Sequence, residues 1–178
     1  KNTVVGGTVR ANGDDVGDPV VASRVGGDLL TASGSDGDIG IKNSTVCGNV
    51  SADSEGEITN SAVGGNVEAN GELDIYPGSI VFGNVSTDGD TTIENNVTVH
   101  GNGDSGSGSA TISGTVEANL SAGGEVTVSG TVGGNLSSGS DVTVEGTVGG
   151  NLTAGGDVTV EGTVKGDVSA GGEVDGEG

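Results

Sequence analysis

Four carboxylates recur once per repeat in the C-terminal part of the chain. They are Glu125, Asp141, Asp157 and Glu173, each sixteen residues after the one before it. Carboxylate oxygens are the ligands that Ca²⁺ and Mg²⁺ prefer, so a weak cation site between neighbouring repeats is one interpretation. The glycine- and aspartate-rich nonapeptide of calcium-binding solenoids is absent, and we therefore favour plain screening of these charges by salt. No other cofactor is indicated.

Catalysis needs a nucleophile, a base or a metal set, and the sequence has few candidates. The chain has one histidine, His100, and one cysteine, Cys47, so neither a second imidazole nor an internal disulfide is available. His100 occupies the same position of its repeat as Phe82 does one repeat earlier, and we expect the two rings to stack on the surface. The sequence therefore predicts a protein that is not an enzyme.

Asparagine recurs at one position through most of the chain. This column contains Asn49, Asn66, Asn84, Asn102, Asn119, Asn135 and Asn151, with Asp28 and Asp167 at its ends. Stacked amides of this kind are usually structural. Seven asparagines also satisfy the N-glycosylation pattern: Asn43, Asn49, Asn84, Asn96, Asn119, Asn135 and Asn151. Glycans on successive repeats about 5 Å apart would crowd one another, so we expect one or two occupied sites.

These residues are positioned by a short phrase, V-x-G-N-L, that returns along the whole sequence. Valines begin it at 116, 132, 148 and 164, sixteen residues apart, and looser copies begin at 99, 81, 63, 46, 25 and 5. A repeat of this length indicates a solenoid, in which each unit is stabilised by stacking on its neighbours.

Alternation within the repeat indicates strands. From Val126 to Ser140 every second residue is apolar or small, while the residues between them, such as Thr127 and Asn135, include none that is apolar. Glycine at this density excludes helix. We expect the inward glycines where the coil bends and the backbone comes too close to the axis for a side chain. We predict an all-β fold, a single parallel β-helix of about ten coils with 16–21 residues per coil. One domain would span 1–178, with irregular coils over 1–109 and regular sixteen-residue coils over 110–178. Turn-forming residues predict corner loops at 11–15, 32–38, 76–79 and 101–109. Its length would be about 48 Å.

Composition restricts the partners. The chain has 26 acidic residues against five Lys and Arg, a net charge of -21, which argues against nucleic acid and anionic membrane surfaces. Low hydrophobicity with high charge is typical of disorder, but the regular repeat argues against it. The even spread of acid resembles proteins of salt-loving organisms, in which ionic strength screens self-repulsion. No apolar run approaches the length of a membrane span.

Two phrases carry a resemblance to a known family. "GTVGGNLTAGGDVTVEGTVKGDVSAGG", from Gly146, and "VCGNVSAD", from Val46, resemble the bactofilins, the polymer-forming cytoskeletal proteins. The resemblance implies a right-handed parallel β-helix, non-polar filaments that need no nucleotide, and no active site. The chain departs from that family in its acidity, its even sixteen-residue coils and its lack of obvious flanking tails, which leaves a cytoplasmic location in doubt.

Open ends of a β-helix expose strand edges and apolar side chains, which recruit another chain unless they are covered. We expect a structural protein that binds copies of itself end to end through Val4, Val5, Val9, Val168 and Val174, outside a halophile or on its surface. The alternatives are an intracellular bactofilin-type scaffold, a monomeric cell-surface stalk or adhesin with a glycan- or calcium-binding face, and a degenerate polysaccharide-acting β-helix.

Overall fold

The computed structural model describes residues 4–11, 20–21, 23–31 and 37–176. These residues form short strands and no helix. Accordingly, no helix in the described ranges is long and apolar enough to cross a membrane.

The strands follow one another in groups of three, and each group makes one coil. The first ten are β1 (Val4–Val5), β2 (Val9–Ala11), β3 (Val20–Val21), β4 (Arg24–Val25), β5 (Leu29–Thr31), β6 (Ile39–Lys42), β7 (Thr45–Val46), β8 (Val50–Ala52), β9 (Gly56–Thr59) and β10 (Ala62–Val63). The next ten are β11 (Val67–Ala69), β12 (Leu73–Ile75), β13 (Ile80–Val81), β14 (Val85–Thr87), β15 (Thr91–Ile93), β16 (Thr98–Val99), β17 (Gly103–Ser105), β18 (Ala110–Ile112), β19 (Thr115–Val116) and β20 (Leu120–Ala122). The last ten are β21 (Val126–Val128), β22 (Thr131–Val132), β23 (Leu136–Ser138), β24 (Val142–Val144), β25 (Thr147–Val148), β26 (Leu152–Ala154), β27 (Val158–Val160), β28 (Thr163–Val164), β29 (Val168–Ala170) and β30 (Val174–Gly176).

Every third strand belongs to the same parallel sheet, so the coil has three faces. The first sheet runs from β1 to β28, the second from β2 to β29 and the third from β3 to β30, with ten strands in each. Equivalent residues of successive coils pair in register, for example Val132 with Val148 in the first sheet. The predicted parallel β-solenoid of about ten coils is confirmed. Its handedness stays a prediction.

The core is a set of columns, one residue per coil. The first sheet contributes valine, such as Val116, Val132 and Val148, each 0% exposed. The second contributes one larger residue followed by Ala, Ser or Thr, as in Leu136 and Ser138. Buried hydroxyls are satisfied: Ser138 Oγ donates to the Gly124 carbonyl at 2.7 Å. Small side chains at this position keep the interior narrow.

The corners correct one detail of the predicted interior. Gly130 and Gly134 are only partly buried and lie between strands rather than inside the coil. A Cβ on Gly130 would overlap the carbonyl oxygen of Gly114, one coil before. Close stacking of neighbouring coils therefore requires glycine there, whereas the sequence suggested crowding at the axis.

Changes in coil length occur at the corners. Four residues separate Ile93 from Thr98, but only two separate Ile112 from Thr115, so the coils shorten at that corner. The predicted corner at 76–79 is confirmed, with Gly78 at φ 82. The loop predicted over 101–109 is shorter than expected, because 103–105 is strand β17. Most of the two loops predicted at 11–15 and 32–38 lies outside the described residues.

Candidate functional site

The last described coil shows what an unstacked coil exposes. Val168 in β29 is 36% exposed and Val174 in β30 is 57% exposed. Their partners one coil earlier, Leu152 and Val158, are 0% and 1% exposed. Val164 is only partly buried. The last described coil therefore presents an apolar surface of valines, and its three strands have a neighbour on one side only within the described residues.

The first described coil presents the opposite edges of the same sheets. Val5 and Val9 are half-buried and occupy inward columns, in register with Val25 and Leu29. Val4 lies in the outward column with Arg24 and Thr45 and is 74% exposed. Of the predicted interface residues, Val5 and Val9 continue the core at the N-terminal end, whereas Val4 lies at its outer rim.

The asparagine column forms a ladder of side-chain to backbone hydrogen bonds. Each Oδ1 accepts the backbone N–H of the residue at the same position in the next coil, as Asn135 Oδ1 does from Asn151 N at 2.8 Å. The contacts run from Asp28 to Asp167 at 2.8–3.1 Å. Amide stacking, which the sequence suggested, is limited to a 3.5 Å contact between Asn102 Nδ2 and Asn84 Oδ1. Because only an oxygen acceptor is required, aspartate serves equally at Asp28, whereas Asp167 is seen only as a donor through its backbone N–H.

The glycine before each asparagine makes room for this ladder. A Cβ on Gly150 would overlap Oδ1 of Asn135 in the preceding coil, and Gly134 stands in the same relation to Asn119. One coil carries alanine instead, at Ala118. There the ladder contact, Asn102 Oδ1 to Asn119 N, is the longest at 3.1 Å. The glycine of each G-N pair therefore leaves space for the side-chain oxygen of the asparagine in the preceding coil.

The acidic column at 125, 141, 157 and 173 contains the same kind of hydrogen bond between a side-chain oxygen and the backbone of the next coil. Asp141 Oδ1 accepts the N–H of Asp157 at 2.8 Å, and Asp157 Oδ1 accepts that of Glu173 at 2.8 Å. Glu125 is exposed at the equivalent position in the preceding coil. Among the described residues, no group of three or more His, Cys, Asp or Glu side chains is arranged to hold a metal ion.

Acidic side chains crowd together on the third sheet and its corner. Glu72 lies there near Asp74, Glu55 and Asp90. The negative charge of Asp74, then desolvation, then the charges of Glu55 and Asp90 raise the pKa of the Glu72 carboxyl above its ordinary value. The pKa of Tyr76 is raised as well, chiefly by Asp74. Like charges therefore repel at this face at neutral pH.

The predicted stack of His100 on Phe82 is confirmed. The ring centroids are 5.1 Å apart with an interplanar angle of 23°. His100 Nδ1 also lies 2.7 Å from Glu117 Oε2 in the next coil. Phe82 is 56% exposed and Ile80 39%, so this is the most apolar part of the outward first sheet. Cys47 lies in the same outward column as Phe82 and His100 and is exposed.

The seven glycosylation candidates are all on the surface. Asn43 and Asn96 lie at corners with φ of 51° and 60°. Asn49, Asn84, Asn119, Asn135 and Asn151 belong to the ladder and are exposed. A glycan attaches to Nδ2, so the ladder's Oδ1 contacts do not by themselves prevent modification.

Sequence reasoning missed a second ladder, which runs in the opposite direction. The N–H of Ser44 donates to Ser61 Oγ at 3.0 Å, and the N–H of Ser23 donates to Ser44 Oγ at 3.1 Å. The signal in the sequence is a serine directly before the first strand of the second to fifth coils, as in "NST" and "NSA".

Comparison with known protein families, with curated proteins and with solved structures finds no match to this chain.

Proposed function

We propose that this protein is a structural element that assembles end to end into filaments, with the terminal coils as the interface. The observation that supports this proposal is the difference in burial between equivalent residues. Val158 is 1% exposed beneath a following coil, whereas Val174 at the end is 57% exposed. Another coil of the same design would cover Val164, Val168 and Val174 as the ninth coil is covered by the tenth.

The gain from such a contact is of the size that specific association needs. Complete burial of a valine contributes about 1.5–3 kcal/mol relative to exposure, and three valines are incompletely covered here. Three strand edges also acquire hydrogen-bond partners, since β28, β29 and β30 have a neighbour on one side only in the described structure. Part of this gain offsets the entropy of association.

High salt favours the proposed assembly. The chain carries a net charge of -21, and its outward columns include the acidic series at 125, 141, 157 and 173. At 1 M salt the screening length is roughly 3 Å, so repulsion between neighbouring subunits is reduced. This acidity supports an origin in a halophile. Two locations are then open: outside the cell, with one or two glycans, or inside it, in the cytoskeletal role that the bactofilin resemblance implies. Glycan mass on the native protein distinguishes them.

The interface is tested by placing a charge on the apolar end. Val168→Asp and Val174→Asp each bury a carboxylate if the ends meet, and we expect the concentration for half-assembly to rise at least about ten-fold. Thr153→Asp is the control, because it adds the same charge to an exposed outward site within the rod. Sedimentation velocity at high salt measures assembly, and circular dichroism checks the fold. Equal effects of the three variants would contradict the proposal.

A further inference from the structure

The asparagine ladder gives the rod a direction. In every contact the side-chain oxygen belongs to the earlier coil and the N–H to the later one, from Asp28 with Asn49 to Asn151 with Asp167. A coil therefore offers an acceptor to its C-terminal neighbour and receives one from its N-terminal neighbour. The two ends of the rod are chemically different.

In the last described coil the ladder residue is Asp167, whose carboxylate is an acceptor. The N–H of Asp167 donates to Asn151 Oδ1 at 2.9 Å, while no described coil follows to donate to the Asp167 carboxylate. At the N-terminal end the column begins with Thr8, in register with Asp28. Within the described residues, no preceding coil offers an acceptor to the Thr8 N–H.

The two ends also match in register. If the tenth coil is followed by the first coil of another copy, Val164 stacks on Val5 and Val168 on Val9, which continues the two inward columns of the first and second sheets. Asp167 then stands one coil before Thr8, as Asn151 stands before Asp167. The columns of these two sheets are already used between coils within one chain.

Charge favours the same arrangement. Residues 161–176 carry four carboxylates, Glu161, Asp167, Glu173 and Asp175, against Lys165. The described residues of 4–31 carry Arg10 and Arg24 against Asp28, and counting every residue of 1–31 gives three cations against four aspartates. Two C-terminal ends in contact would oppose eight carboxylates, whereas unlike ends place the exposed Arg10 near Asp167.

We propose that copies of this chain join head to tail, with the Asp167 carboxylate accepting the Thr8 N–H of the next copy, so that the filament is polar. This inference rests on the proposed end-to-end assembly. It differs from the non-polar filament that the bactofilin resemblance implies, because like ends in contact cannot continue a ladder whose acceptors all face one way.

Cross-linking between single-cysteine variants tests the polarity. Cys47 is first replaced by Ser, and Val4→Cys and Thr163→Cys are then made separately; both sites lie in the outward column of the first sheet. Head-to-tail contact places them in adjacent coils about 4.8 Å apart. A short bismaleimide should link only the mixed pair. Thr131→Cys, in the middle of the same column, is the control for random collision.

The outcomes separate this inference from the proposed function. Links within Val4→Cys alone or Thr163→Cys alone, or filaments in which the mixed pair does not link, would overturn the polarity and leave assembly standing. Failure of every variant and of the unmodified chain to assemble at high salt would overturn both.

A conservative pair at Asp167 tests the hydrogen bond itself. Asp167→Asn keeps the acceptor and repeats the residue found along the ladder, so assembly should match that of the unmodified chain. Asp167→Ala removes the acceptor and should raise the half-assembly concentration about five-fold. If both variants improve assembly to the same extent, only the charge matters, and the proposed hydrogen bond is wrong.

Discussion

At the scale of single residues, the closeness of neighbouring coils decides which side chains are allowed. Asn135 places its oxygen where a Cβ on Gly150 would lie, and Gly146 leaves no room for a Cβ beside the Gly130 carbonyl. Neither glycine has a φ in the left-handed region. Steric contact between coils, rather than backbone conformation, therefore accounts for much of the glycine content.

Gly146→Ala should be destabilising for this steric reason. The added methyl group overlaps a backbone carbonyl that cannot move without separating two coils, and we expect a loss of about 2 kcal/mol or more in the free energy of unfolding. Gly7→Ala is the control, since nothing lies within 4 Å of its Cβ position. Urea denaturation measures both. Equal stability of the two variants would show that coil stacking tolerates the methyl group.

Residue types in this protein were easier to predict from sequence than their contacts. The inward valines and the Phe82–His100 stack follow from register alone, because the repeat fixes which residues lie on adjacent coils. The acceptor role of Asn135 does not follow, because the repeat does not tell which atoms of two neighbouring coils meet.

At the scale of strands, a side chain of one coil can fill the space that an irregular residue leaves in the coil before it. Gly103 in β17 occupies a column that otherwise holds Val or Leu, and the Cδ1 of Leu120 in the next coil lies 2.8 Å from the position of its missing Cβ. Leu120 therefore occupies part of the volume that Gly103 leaves open. The sequence showed the glycine but gave no sign of this compensation, so a loop was predicted there.

Leu120→Ala should remove this filling and cost about 3 kcal/mol of unfolding free energy. The double variant Gly103→Ala with Leu120→Ala returns one methyl group to the space. We expect it to be more stable than the sum of the single changes by about 1 kcal/mol. A urea denaturation cycle measures the coupling, and additivity would mean that the two side chains do not share a volume.

Charge between coils gives a prediction about pH. The raised pKa of Glu72 means that its ionised form is less favourable in the fold than in the unfolded chain. The fold therefore has its full stability with respect to Glu72 below the ordinary glutamate pKa of about 4.3, where the carboxyl is neutral. It loses stability as pH rises through the raised pKa. Glu72→Gln should melt higher than the unmodified chain at about pH 7, with the gain disappearing near pH 4 and in high salt.

Glu68→Gln is the matched control for that measurement. It removes the same charge from an exposed outward position on the second sheet, and Glu68 is not among the charges that raise the pKa of Glu72. Thermal melts of both variants across pH provide the comparison. A gain for Glu72→Gln that persists at low pH would contradict repulsion as its cause.

At the scale of the whole molecule, one core extends along the rod from Val25 to Val158, and both ends continue its columns outward. The architecture was predictable because one phrase returns in ten copies, the last four of them sixteen residues apart. The difference between the two ends was not, because it depends on the direction of the ladder hydrogen bonds. That direction adds to the one that the parallel strands already give the rod.

Electron microscopy of the protein at high salt, over a range of concentrations, tests the central claim most directly. Stacked coils about 4.8 Å apart give each ten-coil subunit a length of about 48 Å. We expect thin, unbranched filaments with an axial repeat of that length, increasing in number with concentration. Single rods about 48 Å long at every concentration would contradict end-to-end assembly.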